Sequence, residues 1–182
     1  MKVTALCGSL RDGSFNMLAL QAAQKLAPEG MEISIESIAD IPLYNDDVRK
    51  RGLPAAVAQL RQKIAEADAI LISSPEYNYS VSGVLKNTLD WVSRAPEPPM
   101  EDKPVAIIGA SIGMLGTARA QYHLRQILVY MNCFAVNKPE VFIGMADKKF
   151  DENGELTDPV AIKLIGDQLI ALQKLTIRLA AK

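Results

Sequence analysis

Short, almost wholly apolar segments alternate with longer amphipathic ones along the whole 182-residue chain. The apolar segments have the length of buried strands, and the amphipathic ones carry apolar residues at helical spacing. A strand that is apolar throughout needs cover on both faces, which parallel strands joined by right-handed helical crossovers provide. The predicted strands are 3–7, 32–36, 68–73, 105–109 and 140–143, and the predicted helices are 14–26, 54–65, 84–92, 117–130 and 159–179. The alternation therefore predicts a doubly wound α/β fold with a five-stranded parallel sheet and helices on both faces.

The length and the composition limit the class of protein. The length suits one domain with a sizeable core, so residues 1–182 are predicted to form a single domain. The formal net charge of -1, from 20 basic and 21 acidic residues, favours no nucleic-acid partner. No apolar run approaches ~18 residues, so no membrane span is expected. The N-terminus carries no signal-peptide pattern, and a cytoplasmic protein is predicted.

Cysteine and histidine are too sparse to build a metal site. Cys7 and Cys133 lie far apart in apolar surroundings without CxxC spacing, which favours two buried, reduced structural thiols over a redox pair. His123 is the only histidine, and no cysteine or further histidine lies near it in the sequence. We therefore expect no metal site. Any Ser-His or Cys-His nucleophile would have to use His123 as its base.

Three unusual loops follow predicted strands, at the edge where open α/β sheets bind ligands. The first, residues 8–16, combines hydrogen-bond donors, positive charge and a helix N-terminus, as a phosphate site requires: Ser9, Arg11, Ser14 and Asn16. It contains neither G-x-x-x-x-G-K-[ST] nor G-x-G-x-x-G, so a nucleoside triphosphate or a dinucleotide pyrophosphate is not expected. The alternative is an ordinary turn in which Ser14 or Asn16 caps the helix and Arg11 is solvated.

The second loop, residues 73–80, reads Ser-Ser-Pro-Glu-Tyr-Asn-Tyr-Ser. Pro75 ends the strand, and residues 76–78 then form a tight polar turn. Such a turn can present backbone amides to the edge of a heteroaromatic ring while Tyr77 packs on its face. The alternative is a plain strand-to-helix turn in which Tyr77 covers the core.

The third loop, residues 110–117, reads Ala-Ser-Ile-Gly-Met-Leu-Gly-Thr. Ser111 and the glycines that follow it allow a flat ligand to approach the backbone closely. Met114 and Leu115 are alternatively residues of the core or of an interface.

Together the loops resemble motifs of the NAD(P)H-dependent FMN reductase family. The segment that begins Gly8-Ser-Leu-Arg and ends Ser-Phe-Asn16 is similar to its phosphate loop, and Ser74-Pro-Glu-Tyr-Asn-Tyr-Ser, followed by Asp90-Trp91, is similar to its flavin-ring signature. Segments 119–125 and 137–140 resemble, more narrowly, its chromate and quinone reductase members. The resemblance covers the chain and implies a flavodoxin-like sheet.

The resemblance also implies which residues hold FMN. Those expected around the phosphate and ribityl chain are Ser9, Arg11, Ser14, Phe15 and Asn16. Those expected to line the isoalloxazine ring are Pro75, Glu76, Tyr77, Asn78 and Ser111. Ser82 stands where the family usually has proline before Gly83, and we expect this difference to loosen the turn into the next helix.

The function that the resemblance implies is an oxidoreductase. NADH or NADPH would reduce bound FMN, which would then reduce a small-molecule acceptor such as a quinone, or chromate, ferric or azo compounds. The flavin carries the chemistry, so no catalytic side chain is predicted, and one shared site predicts ping-pong kinetics. The alternatives are a flavodoxin-type electron carrier, against which Arg11 and the near-zero net charge argue, and a flavin-free regulatory or interaction domain.

A homodimer or homotetramer is the predicted assembly. Loop 40–48 is long for a simple connection, and helix 117–130 carries more apolar surface than one face requires. The resemblance implies that Arg119 pairs with Glu140 of a second subunit, with Tyr122 nearby. The alternative is that Arg119 and Glu140 are solvated and that the tyrosines pack within the chain.

Overall fold

Six parallel strand segments form the central sheet, and helices pack on both of its faces. The structure is a computed structural model that describes residues 1–181. The strands are β1 (Lys2–Cys7), β2 (Glu32–Glu36), β3 (Ala69–Ser73), β4 (Pro104–Ala110), β5 (Phe134–Ala135) and β6 (Val141–Ile143). The helices are α1 (Phe15–Lys25), α2 (Asp46–Arg51), α3 (Ala55–Glu66), α4 (Gly83–Val92), α5 (Ala118–Tyr130) and α6 (Pro159–Ala180). The strand order β2-β1-β3-β4-β5 is the doubly wound, flavodoxin-like order, which confirms the predicted fold class.

Alternate residues of each central strand enter two separate cores, one on each face of the sheet. In β3, Leu71 belongs to the core that α1 and α6 cover, whereas Ile70 and Ile72 belong to the core under α3, α4 and α5. All three side chains are fully buried, and burying each stabilises the fold by roughly 1.5–3 kcal/mol. The two-sided cover explains why the strand is apolar throughout.

The fifth strand is split in two, whereas the sequence pattern predicted one strand at 140–143. β5 pairs with the start of β4, and β6 pairs with its end. Pro139 lies between the two pieces and lacks the N–H that a continuous ladder needs. A two-residue strand such as β5 is too short to show a periodic signal, and it was therefore missed.

Two buried glutamines hydrogen-bond to backbone carbonyls around this gap, one from each face of the sheet. Nε2 of Gln168, on α6, donates to the carbonyl oxygens of Ile107 (2.8 Å) and Pro139 (3.1 Å). Nε2 of Gln121, on α5, donates to the carbonyl oxygen of Val141 (2.9 Å). Side-chain amides thus satisfy carbonyls that lie where the ladder is interrupted.

Helix α2 begins within loop 40–48, where the sequence pattern predicted no helix. Asn45 caps it by accepting from the backbone N–H of Asp47 (2.8 Å), and none of its residues is buried. Ion pairs with Lys50 and Arg49 hold the pKa of the Asp46 carboxyl well below its usual range. Caps and charge pairs therefore form this helix, and neither produces the apolar spacing that the sequence pattern relies on.

The fold brings the loops after β1, β3 and β4 to one edge of the sheet. The strand order reverses between β1 and β3, which is the topological switch point where ligands of such sheets bind. Within residues 1–181, no helix has both the length and the hydropathy that crossing a bilayer requires.

Candidate functional site

A cavity of about 440 Å³ opens at the carboxyl ends of β1, β3 and β4. The residues that line it are Ser9, Arg11, Ser14, Phe15, Asn16, Pro75, Glu76, Tyr77, Ala110, Ser111 and Ile112. Nine of the ten residues predicted from the sequence are among them. Asn78 is not, although it lies in the next position along the same loop. Ala110 and Ile112 are additions, which their position next to Ser111 could have suggested.

The loop between β1 and α1 forms the polar end of the cavity. Ser14 caps α1, since its Oγ accepts from the backbone N–H of Asn16 (3.3 Å). The guanidinium of Arg11 is exposed and folds back on its own loop, donating to the carbonyl oxygens of Asp12 (3.1 Å) and Gly13 (2.9 Å). The capped turn considered as an alternative is therefore present, and it also places a cation and a helix N-terminus at one end of the cavity.

Asn16 contributes to the cavity wall in a way that the sequence did not indicate. Its side chain is buried and holds the start of α1 against the ends of two strands. Nδ2 donates to the carbonyl oxygen of Ala110 (2.9 Å), while Oδ1 accepts from the N–H of Ala110 (3.0 Å) and from Oγ of Ser73 (3.1 Å). With these three bonds made, the side chain serves chiefly to fix the geometry of the loop.

Residues 76–80 form a tight turn at the other end of the cavity, which we call the ring turn. Tyr77 and Ser80 exchange two backbone hydrogen bonds of 3.0 Å, and the residues between them, Asn78 and Tyr79, have φ angles of 51° and 66°. Tyr77 is 50% exposed, and its hydroxyl lies 3.5 Å from Oγ of Ser9. The ring of Tyr77 therefore does not cover the core, and it connects the ring turn to the polar loop.

The carboxylate of Glu76 points away from the cavity and toward α5, although the residue lines the cavity wall. Its side chain is only 7% exposed. Oε2 accepts from the backbone N–H groups of Arg119 (3.0 Å) and Ala120 (3.1 Å), and Oε1 accepts from Nε of Arg119 (2.6 Å). The expected contact of Glu76 with a ring would thus be made by its backbone, because the carboxylate caps a helix.

The loop after β4 forms the third wall. Oγ of Ser111 accepts from the backbone N–H of Gly113 (2.9 Å), which closes the start of the loop. Ile112 and Leu115 are exposed, and Met114 is 81% exposed. The alternative that Met114 and Leu115 fill the core is therefore wrong, and the rim beside the cavity is apolar and open.

Residues 1–148 match the family described as NADPH-dependent FMN reductase. This chain belongs to that family. An NAD(P)H-dependent FMN reductase of Pseudomonas aeruginosa is 55% identical over 95% of this chain and 94% of that protein, and a quinone reductase of Escherichia coli K12 is 47% identical over 94% and 93%. The structure of the flavoenzyme NAD(P)H:acceptor oxidoreductase FerB from Paracoccus denitrificans superimposes with a TM-score of 0.89, covers 97% of each chain and is 32% identical.

Membership of the NADPH-dependent FMN reductase family confirms the resemblance and, with it, the predicted FMN cofactor and NAD(P)H donor. The residues of the cavity fit that cofactor. At one end, a phosphate would meet a cation, a serine-rich loop and a helix N-terminus. At the other end, a planar ring would meet Pro75 and, from the ring turn, Tyr77 and the backbone of Glu76.

Ser82 does not loosen the turn into α4, contrary to our expectation. It is buried and caps the helix, because its Oγ accepts from the N–H of Leu85 (3.3 Å). The same hydroxyl donates to the carbonyl oxygen of Gly8 (2.6 Å), which ties α4 to the polar loop. A proline ring has no such donor, so serine makes a bond here that the usual family residue cannot make.

The two thiols have no place in the chemistry of the cavity. Cys7 is buried, and burial raises its pKa. Cys133 is only partly buried, which corrects our expectation of full burial. Desolvation, together with the charges of Asp102 and Glu101, raises the pKa of Cys133 to about 12. Both thiols are free and protonated at neutral pH.

Proposed function

We propose that this protein is an FMN-dependent oxidoreductase that takes hydride from NADH or NADPH and reduces quinones. The observation that carries the proposal is the meeting of a phosphate-binding loop and a ring turn in one cavity of an FMN reductase fold. Quinones are the favoured acceptors because the Escherichia coli relative, 47% identical, is named a quinone reductase.

The polar loop holds the phosphate end of FMN in this proposal. Ser9 and Ser14 supply hydroxyl donors, and Phe15 and Asn16 begin the helix whose N-terminus faces the anion. Arg11 is free to exchange its two loop carbonyls for the phosphate, because its guanidinium is exposed and makes only short-range contacts. This exchange is favourable because the hydrogen bond of a guanidinium to a charged phosphate is stronger than its bond to a neutral backbone carbonyl.

The ring turn and the third loop hold the isoalloxazine ring. The wall of the cavity on the ring-turn side is formed by Pro75, Tyr77 and the backbone of Glu76, and Asn78 is the next residue along the chain. Ser111 lines the cavity from the loop after β4. Bound FMN supplies the hydride chemistry. Arg11 and Glu76 are the charged residues of the wall, one committed to the phosphate and the other to α5. We therefore assign no proton transfer to a side chain.

Several finer features belong to the same proposal. The open apolar rim at Ile112 and Met114 suits flat acceptors, so azo compounds are proposed beside quinones. Chromate and ferric compounds are proposed on the family resemblance alone. One ring face would serve donor and acceptor in turn, which gives ping-pong kinetics. A cytoplasmic location agrees with two reduced thiols.

Assembly into a homodimer or homotetramer is proposed as well. Exposed apolar side chains cluster on α5 and on the neighbouring loop: Met114, Leu115, Tyr122, Val129 and Tyr130. A groove of about 730 Å³ also runs between α4 and α5. Segment 40–48 also makes contacts within its own chain, because the carbonyl oxygen of Pro42 accepts hydrogen bonds from the side chains of Asn87 and Trp91. Pairing of Arg119 with Glu140 of a second subunit stays a prediction.

Steady-state assays with both nucleotides and a panel of quinones, chromate, ferric and azo compounds test the function. We expect a yellow protein with about one FMN per chain and parallel double-reciprocal plots at several acceptor concentrations. Intersecting plots would contradict the ping-pong order. A yellow protein that accepts no electrons from NADH or NADPH would indicate the carrier, and a chain that takes up no FMN would overturn the proposal.

A further inference from the structure

Helix α5 contacts the ring turn at three points, although no residue of α5 lines the cavity. The contacts are made to Glu76 at the start of the turn, to Tyr79 at its tip and to Ser80 at its end. Arg119 and His123 make them, and these residues lie four positions apart on one face of the helix. The turn is therefore held along its whole length by one rigid element.

The contact at Glu76 replaces an ordinary helix cap. Thr117 stands in the N-cap position of α5, but its side chain makes no capping bond. Glu76 supplies the acceptor from the loop after β3, and its carboxylate is nearly buried against the helix N-terminus. A carboxylate at that position gains from the positive end of the helix dipole and from charge-assisted hydrogen bonds.

The contact at Tyr79 uses the same arginine. The guanidinium carbon of Arg119 lies 3.7 Å from the centre of the Tyr79 ring, while its Nε donates to Glu76. Tyr79 has a left-handed φ of 66°, a conformation that a non-glycine residue adopts only where its surroundings hold it. Stacking under a guanidinium that is itself fixed by an ion pair provides such a restraint.

The contact at Ser80 closes the far end. Nδ1 of His123 lies 3.0 Å from Oγ of Ser80, whose backbone N–H and carbonyl pair with Tyr77. The backbone of Tyr77 is thereby held between two anchors on α5, one at residue 76 and one at residue 80. The side chain of Tyr77 lines the cavity.

We propose that Arg119 and His123 are positioning residues for the flavin ring, acting through Glu76, Tyr79 and Ser80. The inference rests on the proposed function, because it assumes that the ring turn faces FMN. Their task is to keep Pro75 and Tyr77 in the conformation that receives the ring, which lowers the entropic cost of ordering the turn when FMN binds. Neither residue exchanges protons or electrons with the substrates.

Glu76→Gln is the sharpest test, because it keeps the shape of the side chain. The amide nitrogen places a donor opposite the donors of α5, so one anchor is lost while the fold keeps its volume. We expect the dissociation constant of FMN to rise about tenfold, and the visible circular dichroism of the bound flavin to change. In the FMN-free protein, hydrogen exchange at the amides of Tyr77 and Ser80 should accelerate about tenfold.

Arg119→Met should reproduce these changes, and Arg119→Lys, which keeps the charge without the planar stack, should restore part of the affinity. The double variant Glu76→Gln, Arg119→Met should bind FMN about as weakly as either single one, since both break the same contact. Light scattering on each variant separates this effect from a change of assembly. Asp167→Asn, which breaks an exposed ion pair with Lys163 on α6, is the control and should change none of these readings.

The outcomes distinguish the two proposals. A wild-type chain that takes up no FMN overturns the proposed function. A wild-type chain that takes up FMN, with Glu76→Gln and Arg119→Met equal to it in affinity, dichroism and amide exchange, overturns the positioning role. A fall in melting temperature alone, with unchanged affinity and dichroism, also counts against it, because a purely structural contact would produce that result.

Discussion

Arg11, Asn16 and Glu76 are three polar residues of one cavity wall, and the structure gives each a different task. The guanidinium of Arg11 is exposed and bonded only to neighbouring carbonyls, so it is available to an anion. The side chains of Asn16 and Glu76 are buried, and their hydrogen bonds go to distant elements of the fold. Burial and bonding partners, rather than residue type, decide which polar group is free to meet a ligand.

Arg11→Ala should weaken FMN binding about tenfold, because it removes a hydrogen bond to a charged group. Quenching of flavin fluorescence during titration of the FMN-free protein measures the change. Arg178→Ala, an exposed arginine near the end of α6, is the matched control and should leave the affinity as it is. Equal affinities for the two variants would exclude Arg11 from the phosphate site.

Cys133 should make the fold less stable at alkaline pH. Its thiol ionises near pH 9.0 when unfolded, whereas burial raises the folded pKa to about 12. The unfolded state therefore releases a proton first, and the free energy of unfolding should fall as the pH rises from about 9 toward 12. Urea unfolding at several pH values measures this slope.

Cys133→Ala should reduce that alkaline slope without abolishing it, because the pKa of Cys7 is also raised. A slope that Cys133→Ala does not change would show that the thiol ionises alike in both states. Lys174→Ala, at an exposed position on α6, serves as the control for the loss of a surface side chain.

Individual elements end where backbone hydrogen bonds run out or are taken over by side chains. The fifth strand breaks at Pro139, and two glutamines bind the carbonyls around the break. Helix α5 begins without a cap from its own N-cap residue and takes one from Glu76. Both cases join elements that lie far apart in the sequence.

Gln168→Ala should destabilise the fold by about 2 kcal/mol, because it leaves the buried carbonyl of Ile107 and the partly buried carbonyl of Pro139 without that donor. Urea unfolding of the FMN-free protein measures the loss. Gln62→Ala, on the exposed face of α3, is the matched control and should change stability by less than about 0.5 kcal/mol. If Gln168→Ala costs no more than this control, water satisfies the carbonyls of Ile107 and Pro139 equally well.

On the scale of the whole molecule, one end of the sheet carries both the cavity and an apolar rim. Met114 and Leu115 are exposed beside the cavity, and Tyr122 and Tyr130 are exposed along α5. An isologous contact that runs along α5 and includes Met114 and Leu115 would repeat each residue about a two-fold axis and would place a second chain next to the cavity. Assembly and activity would then depend on the same surface.

Light scattering across a dilution series should therefore give a mass of two or four times 19.8 kDa. Tyr130→Asp, which places a charge at a side chain that is 78% exposed, should lower the mass and the activity together. Ile177→Asp, at an exposed apolar position on α6, is the control. A mass near that of one chain with full activity at micromolar concentration would exclude an obligatory assembly.

The sequence alone was sufficient for whatever is encoded locally. The apolar strands at 68–73 and 105–109 implied two covered faces, and the first loop carried its donors, its cation and its helix start within residues 8–16. The fold class followed from these local patterns, and the resemblance of the loops added the family and most of the residues that line the cavity. Helix α2 was missed for the same reason, because caps and ion pairs form it without apolar spacing.

Only the tertiary structure decided which polar side chains are free and which are committed. The resemblance of its loop predicts that Glu76 contacts the flavin ring, yet its carboxylate caps α5. Its partner there, Arg119, lies 43 positions further along the chain. Asn16 reads as a phosphate contact, yet its amide binds Ala110, 94 positions away. A hydrogen bond depends on distance in space, and a sequence pattern carries distance along the chain. Most of the residues that line the cavity were therefore predictable from the sequence, and the hydrogen-bond partners of their side chains were not.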